Sequence, residues 1–202
     1  ERLYEFCKRL KEITKGLPEF KWTCQLWVST VDEELLRTLK DAGCIIVSFG
    51  FESYSKEVLK SMKKPITPEQ IDYAIKACKK VGISITGGFI FGDLAETKET
   101  AKETLDYWKK QSEGQLQLGF IQPYPGSAIY HHCIKKGIIK DKLDFIKNKM
   151  NHTCWINMTN QMTDKEIQQL KEDILKARRE GFNYVIPIET KKTAKNVYIL
   201  KM

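Results

Sequence analysis

The stretch SITGGFIFGDLAET, Ser84 to Thr97, places Gly87, Gly88 and Gly92 in and just after an apolar run. Glycine inside a strand packs nothing and costs entropy, so three of them mark a bulge or a place where a backbone or a ligand comes close. The alternative is a strand crowded by a neighbouring helix, with no ligand. A second run, CIIVSFGFES, ends its apolar residues on Glu52 and Ser53. A carboxylate at a strand end can accept charge-assisted hydrogen bonds from hydroxyls or an ammonium. Both residues are also ordinary caps for a following helix. In QPYPGS, Pro123 and Pro125 stiffen a turn that presents the ring and hydroxyl of Tyr124, unless it is only a strand-to-helix turn capped by Ser127. His131, His132 and Cys133, with His152 and Cys154, invite a zinc reading. Consecutive helical residues diverge by about 100°, so at most two converge, and a helix end and a loop account for them better. Cys154 beside Trp155 has a further reading as a hydrogen-atom donor or substrate contact. The sequence contains no Ser-His-Asp set, Walker glycine loop or HExxH.

These residues need elements to hold them. Leu3, Phe6, Cys7, Leu10 and Ile13 share a helical face, which Gly16 and Pro18 terminate. KWTCQLWV (21–28) reads as a strand, and Thr30 with Glu33 as a capping box opening a helix that stops at Gly43. CIIVSFGF (44–51) reads as a strand buried on both faces. SKEVLKSMKK is helical. Thr67, Pro68 and Gln70 open another helix, with Ile71, Ala74, Ile75 and Cys78 inward and Gly82 at its end. ISITGGFIF is a third strand, Thr97 caps the next helix, and LQLGFI (116–121) is a fourth strand. Ser127 caps a helix ending at Gly137. Four strands alternating with helices predict a parallel α/β architecture, closed or partly closed, with ligands at the C-terminal strand ends. After Gly137 the rhythm fails. Thr163 and Glu166 cap one amphipathic helix carrying Ile167, Leu170, Ile174 and Ala177, and the tail with NVYILKM carries no pattern.

The 202 residues fit one domain, or one with a small appendage. No apolar run approaches the roughly 20 residues of a membrane helix, and the start has no signal pattern, which together predict a cytoplasmic protein with no membrane partner. Six dispersed cysteines without CxxC argue for reduced thiols rather than a disulfide framework. The net charge is +8, yet only five of 34 basic residues are Arg, and the lysines alternate with acids along helices. That is a solvated surface rather than a phosphate-reading patch, which leaves a nucleic-acid partner open but unsupported.

Taken in order, AGCIIVSFGFES, VLKSMKKPITPEQIDYAI, GFIFGDLAET and PYPGSAIY resemble the radical S-adenosylmethionine (radical SAM) superfamily. The likeness is closest to its cobalamin-associated and methylthiotransferase-like branches and covers roughly residues 1 to 139. It implies a partial parallel (β/α) barrel of the radical SAM type, α/β in class, of which residues 1–139 are the last four units. On this view the barrel is truncated at its N-terminal side, and 140–202 form a C-terminal extension. It implies an enzyme whose [4Fe-4S] cluster cleaves S-adenosylmethionine to a 5′-deoxyadenosyl radical that takes hydrogen from an unidentified substrate, with cobalamin an option in the full-length protein. Residue by residue, it lays Gly88, Ile90 and Gly92 along the adenine, and Glu52 and Ser53 near the ribose hydroxyls or methionyl ammonium. Tyr124 falls on the nucleotide side. Trp27 stands where many relatives carry an Arg for the cofactor's carboxylate, leaving Gln25 as a weak substitute. The family's CxxxCxxC has no match here, so the resemblance implies cluster ligands outside this chain and the N-terminal half of the barrel as a missing partner. Two alternatives stay open: a non-catalytic remnant or binding module on the same scaffold, and an unrelated nucleotide-binding α/β barrel enzyme.

Overall fold

The structure, a computed structural model, describes residues 1–17, 20–111, 115–150 and 155–181. Pro18, Cys154 and the tail from 182 lie outside the described residues. Strands β1 (Trp22–Leu26), β2 (Cys44–Glu52), β3 (Ser84–Phe91) and β4 (Gln115–Phe120) form one sheet in the order 1-2-3-4, every pair parallel. Helix α1 (Arg2–Ile13) precedes β1. The connections carry α2 (Glu33–Asp41), then α3 (Lys56–Ser61) and α4 (Pro68–Val81), then α5 (Lys98–Lys110). Right-handed crossovers between sequential parallel strands put every connecting helix on the same face.

That face is the core. Val47, Phe49 and Phe51 of β2 and Phe89 and Phe91 of β3 are fully buried. The rings of Phe49, Phe51 and Phe89 stack in series at 5.5 Å, and Tyr107 of α5 meets Phe89 edge-on at 5.9 Å. The apolar run of β2 predicts burial on both faces, but burial alternates along it from Val47 to Glu52. The residues alternating with the buried ones, Ser48 and Gly50, face a side that none of the described helices covers. One face of the sheet is therefore open, as in a partial barrel.

Helix ends follow local chemistry. Thr67 and Gln70 make a reciprocal capping box with Pro68 at the first turn, and Thr97 pairs with Thr100 in the same way. Ser127 accepts from the Tyr130 N–H, and Gly82 takes the left-handed C-cap at φ 70°. The box expected at Thr30 and Glu33 is not the one used. Val28–Thr30 form a 3-10 turn, and Asp32 caps α2 through the Leu35 N–H at 2.7 Å. The 3-10 turn uses up Thr30, and the next capping side chain in sequence is Asp32.

Beyond β4 come α6 (Ala128–Lys135), α7 (Lys142–Asp144), a π-helical turn (Phe145–Lys149) and α8 (Asp164–Gly181). Tyr130, Cys133, Ile139, Phe145 and Met158 form a small separate core. The apolar face of α8, with Ile167, Leu170, Ile174 and Ala177, joins the main core instead. Trp155 stacks on Phe120 of β4 at 3.3 Å between ring centres. The segment expected to be an extension thus completes the packing beside the sheet's last strand. Among the described residues no helix is long and apolar enough to cross a membrane.

Candidate functional site

The open face is built in rows. Gln25, Ser48 and Thr86 are register partners across β1, β2 and β3. Gly50, Gly88 and Gln117 form the next row, and Ile90 faces Gly119 beyond it. Ser48, Thr86, Gly88, Ile90, Gln117 and Gly119 line a groove of about 340 Å³ on this face. Its middle is bare backbone, flanked by short polar side chains and by the single apolar face of Ile90.

The adjacent glycines answer to different causes. A Cβ on Gly87 would stand 2.2 Å from the carbonyl oxygen of Phe49, so Gly87 is required by the neighbouring strand and not by any ligand. A Cβ on Gly50 would stand 2.4 Å from Glu52 Oε1 and 3.0 Å from Lys64 Nζ. Those two charged groups lie over Gly50, at the edge of the groove floor.

A register shift between Gly50 and Glu52 opens β2 at its C-terminal end, and Glu52 takes φ 62°. A non-glycine residue in the left-handed region is uncommon, and it turns the carboxylate back over Gly50. Lys64, in the connection from α3 to α4, donates to Glu52 Oε1 at 2.9 Å and lies 4.8 Å from the centre of the Trp27 ring. The cation at Trp27, where the resemblance expects an arginine, is therefore Lys64. Ser55 occupies the N-cap position of α3, three residues on, so Glu52 is not that helix's cap.

Ser53 goes elsewhere. It is 1% exposed, its hydroxyl pairs with that of Thr104 on α5 at 3.1 Å and accepts the Ser55 N–H. The expectation of a ligand contact at Ser53 is corrected: the bulge that turns Glu52 outward sends Ser53 under the helices. Gly92 follows β3 with φ 95° and is buried, donating its N–H to Glu96 Oε2 at 3.2 Å. Gln25 is exposed on β1, and Tyr124 is 54% exposed in its turn.

Glu96 and Lys64 are functional candidates that sequence reasoning passed over. Glu96 is 1% exposed and also accepts from the Thr100 hydroxyl at 3.0 Å. Burial pushes its carboxyl up to about 7, with the charge of nearby Asp93 adding to the rise, against the lowering effect of its two donors. Its signal in the sequence is an acid within an otherwise small and apolar turn, GDLAET. Lys64 gives none, being one lysine among several in SMKKP.

Cys24 and Cys44 lie side by side on β1 and β2, 3.8 Å apart at sulfur. Among the described residues no three His, Cys, Asp or Glu side chains converge as a metal site would need.

Comparison with known proteins follows the same lines. A family model described as the radical SAM superfamily matches residues 1–107. An uncharacterized methyltransferase of Pyrococcus horikoshii is 33% identical over 139 residues, 69% of this chain and 30% of that protein. The chain thus spans under a third of the length of that relative. Coproporphyrinogen III oxidase from Escherichia coli, a radical SAM enzyme, shares the fold over 89% of this chain and 37% of its own, with a TM-score of 0.62 at 12% identity. A radical S-adenosylmethionine methyltransferase from Kitasatospora setae, with cobalamin and a [4Fe-4S] cluster bound, aligns over 65% of this chain and 27% of its own, with a TM-score of 0.54 at 23% identity.

Proposed function

This chain belongs to the radical SAM superfamily, and from that premise we propose that its open sheet face holds the adenosyl part of S-adenosylmethionine in a radical enzyme of the cytoplasm. The observation that carries the reading is the bare backbone of the groove at Gly88, between Ser48, Thr86 and Ile90. A flat ring lies against backbone there without meeting a side chain. Ile90 offers the apolar edge, Gly92 turns the chain out of the way, and Glu52 accepts from ribose hydroxyls or the methionyl ammonium. Gln25, the register partner of Ser48, and the exposed Tyr124 are the further polar contacts of this reading, and Ser53 is left out.

When bound, S-adenosylmethionine and a [4Fe-4S] cluster supply the radical chemistry that removes hydrogen from a substrate. The residues described here do not fit the cluster, since no three of their thiols, imidazoles or carboxylates converge, and its ligands are assigned to a part of the protein outside these 202 residues. That part is the partner this chain requires. The names of the P. horikoshii relative and the K. setae neighbour favour methyl transfer as the reaction class, with cobalamin the accompanying cofactor of the full-length protein, though no residue here is assigned to it. Family membership removes the rival of an unrelated barrel enzyme. The non-catalytic remnant remains the alternative, and cofactor binding separates it.

Equilibrium binding of S-adenosylmethionine and of 5′-methylthioadenosine to this chain is the test. Both bind if the floor receives the adenosyl part, and Ile90→Asp, which puts a charge against the ring, weakens both by tenfold or more, on the order of the cost of a buried unpaired charge. Failure of both to bind overturns the reading.

A further inference from the structure

Two thiols on the helix-covered face of the sheet are brought together by a fault in its register. Cys24 of β1 pairs with Val47 of β2, and Trp22, two residues earlier, pairs with Cys44. The register shifts between Trp22 and Thr23, because Ile45 is an extra residue on β2. Strand residues alternate between faces, so in an unbroken strand Cys44 would share the groove side with Ile46 and Ser48. The bulge reverses this and turns Cys44 inward. There it is 1% exposed, with its sulfur 3.8 Å from that of Cys24. Cys24 is half-buried, on a strand that pairs with β2 alone among the described strands.

The two thiols are unequal. Cys44 carries one proton with two acceptors in reach, Cys24 Sγ and the Ile46 carbonyl oxygen at 3.4 Å. When Cys24 ionises, that proton turns to it, and the hydrogen bond holds the Cys24 thiol below its ordinary value against the opposing effect of burial. The same bond, and then burial, push the Cys44 thiol up. Cys24 is therefore both the better thiolate and the reachable sulfur, the two properties of an attacking thiol. Cys7 and Cys78, both buried, stand near enough for the charge of Cys24 to add to the rise that burial gives their thiols, yet the thiol in contact with Cys24 is Cys44. A cysteine that only fills space needs neither the bulge nor the contact.

We propose that Cys24 and Cys44 are a redox-active thiol pair, which a low-molecular-weight disulfide converts to a reversible cross-link between β1 and β2. The Cys24 thiolate attacks one sulfur of the small disulfide, breaking its S–S bond and expelling one thiol. Cys44 then gives up its proton and attacks the Cys24 sulfur of the mixed disulfide, expelling the second thiol. Two protein thiols are oxidised, one small disulfide is reduced to two thiols, and the two protons leave on them. The sulfurs close from 3.8 Å to about 2 Å, and β1, held on one side only among the described strands, follows. Because the cysteines are not register partners, the bond forms under strain and is readily reduced, which makes it a switch rather than a staple. The pair lies across the sheet from the groove, so its chemistry does not depend on what the groove binds. Gln25, next to Cys24, stands on the groove side as the partner of Ser48 and moves with β1.

The test treats the reduced, native chain with oxidised glutathione, blocks the remaining thiols with iodoacetamide in denaturant and maps tryptic peptides by mass spectrometry. Cys24 and Cys44 fall in different peptides, 22–37 and 41–56. The expected product has two of the six cysteines consumed, in a cross-link between those peptides that excess reduced glutathione removes. Cys44→Ala leaves glutathione on Cys24 as a stable mixed disulfide. Cys24→Ala slows the loss of the first thiol by about tenfold or more, since Cys44 is closed to solvent. Thermal melting checks that both variants fold, and the unmutated chain carries the test by itself if one does not. A native chain whose six thiols all stay free overturns the proposal. So does a cross-link from Cys24 to Cys7 or Cys78, a glutathione adduct that persists on Cys24 of the unmutated chain, or a Cys24–Cys44 bond that forms only in urea. A cross-link that reduced glutathione leaves intact overturns the switch.

Discussion

Replacement of Glu96 by glutamine should stabilise the protein, and increasingly so as pH rises. Glu96 is 1% exposed, with the carboxyl pushed up to about 7 chiefly by burial and further by Asp93, itself 4% exposed. The folded state therefore holds a proton that the unfolded chain, with an ordinary value of 4.5, has released. Wherever the native state binds the extra proton, stability falls as pH rises. The loss begins near pH 4.5 and levels off above about pH 7. At about 1.4 kcal/mol for each unit between those values, the loss is on the order of 3 kcal/mol. Glutamine fits the same bonds. Its carbonyl can accept the Gly92 N–H, and its amide can donate to Thr100 Oγ1, whose own proton has the Thr97 carbonyl 3.2 Å away. Urea unfolding of both proteins at fixed pH values from 4 to 8 measures the difference. The advantage of Glu96→Gln should grow by about 3 kcal/mol over that range, with unchanged dependence on urea. A difference that stays constant with pH would show that Glu96 is not held protonated by its surroundings, and the argument from burial would fail.

Other outcomes follow from the same geometry. Gly87→Ala should cost about 3 kcal/mol or prevent folding, since its Cβ meets the Phe49 backbone at 2.2 Å, as read by denaturant midpoint. Gly88→Ala, whose Cβ would stand 3.1 Å from the Gln117 carbonyl oxygen, should cost only about 1 kcal/mol yet weaken S-adenosylmethionine in a binding titration. Ile174→Ala should lower stability by about 2–5 kcal/mol within one cooperative transition, because α8 shares the main core; a separate transition for α8 would contradict this. In native alkylation followed by mass spectrometry, Cys24, half-buried and lowered by its hydrogen bond with Cys44, should react before Cys78, which burial pushes up to about 12.

What the sequence made legible was whatever depends on near neighbours. The helix openings at Thr67 and Thr97 and the stop at Gly82 are set by three or four consecutive residues, and the structure uses them as read, whereas the box read at Thr30 and Glu33 gives way to a cap at Asp32. Alternation of βα units was equally plain, and with it the parallel sheet. The two-sided burial of β2 was misread because phenylalanines on one face and Ser48 and Gly50 on the other, interleaved with aliphatic residues, look like one apolar run. Ser53 was misplaced for a sharper reason. Neighbouring strand residues point to opposite faces, and the register shift decides which of Glu52 and Ser53 stays outward. Nothing local announces that shift. Lys64 was invisible because its role depends on Trp27, Gly50 and Glu52 arriving at one place from the turn after β1 and from β2. The absence of an arginine at Trp27 looked like the loss of a charge. In three dimensions the indole carries a lysine from 37 positions further along, so a charge missing from a motif is evidence against a site only after the neighbours in space have been counted.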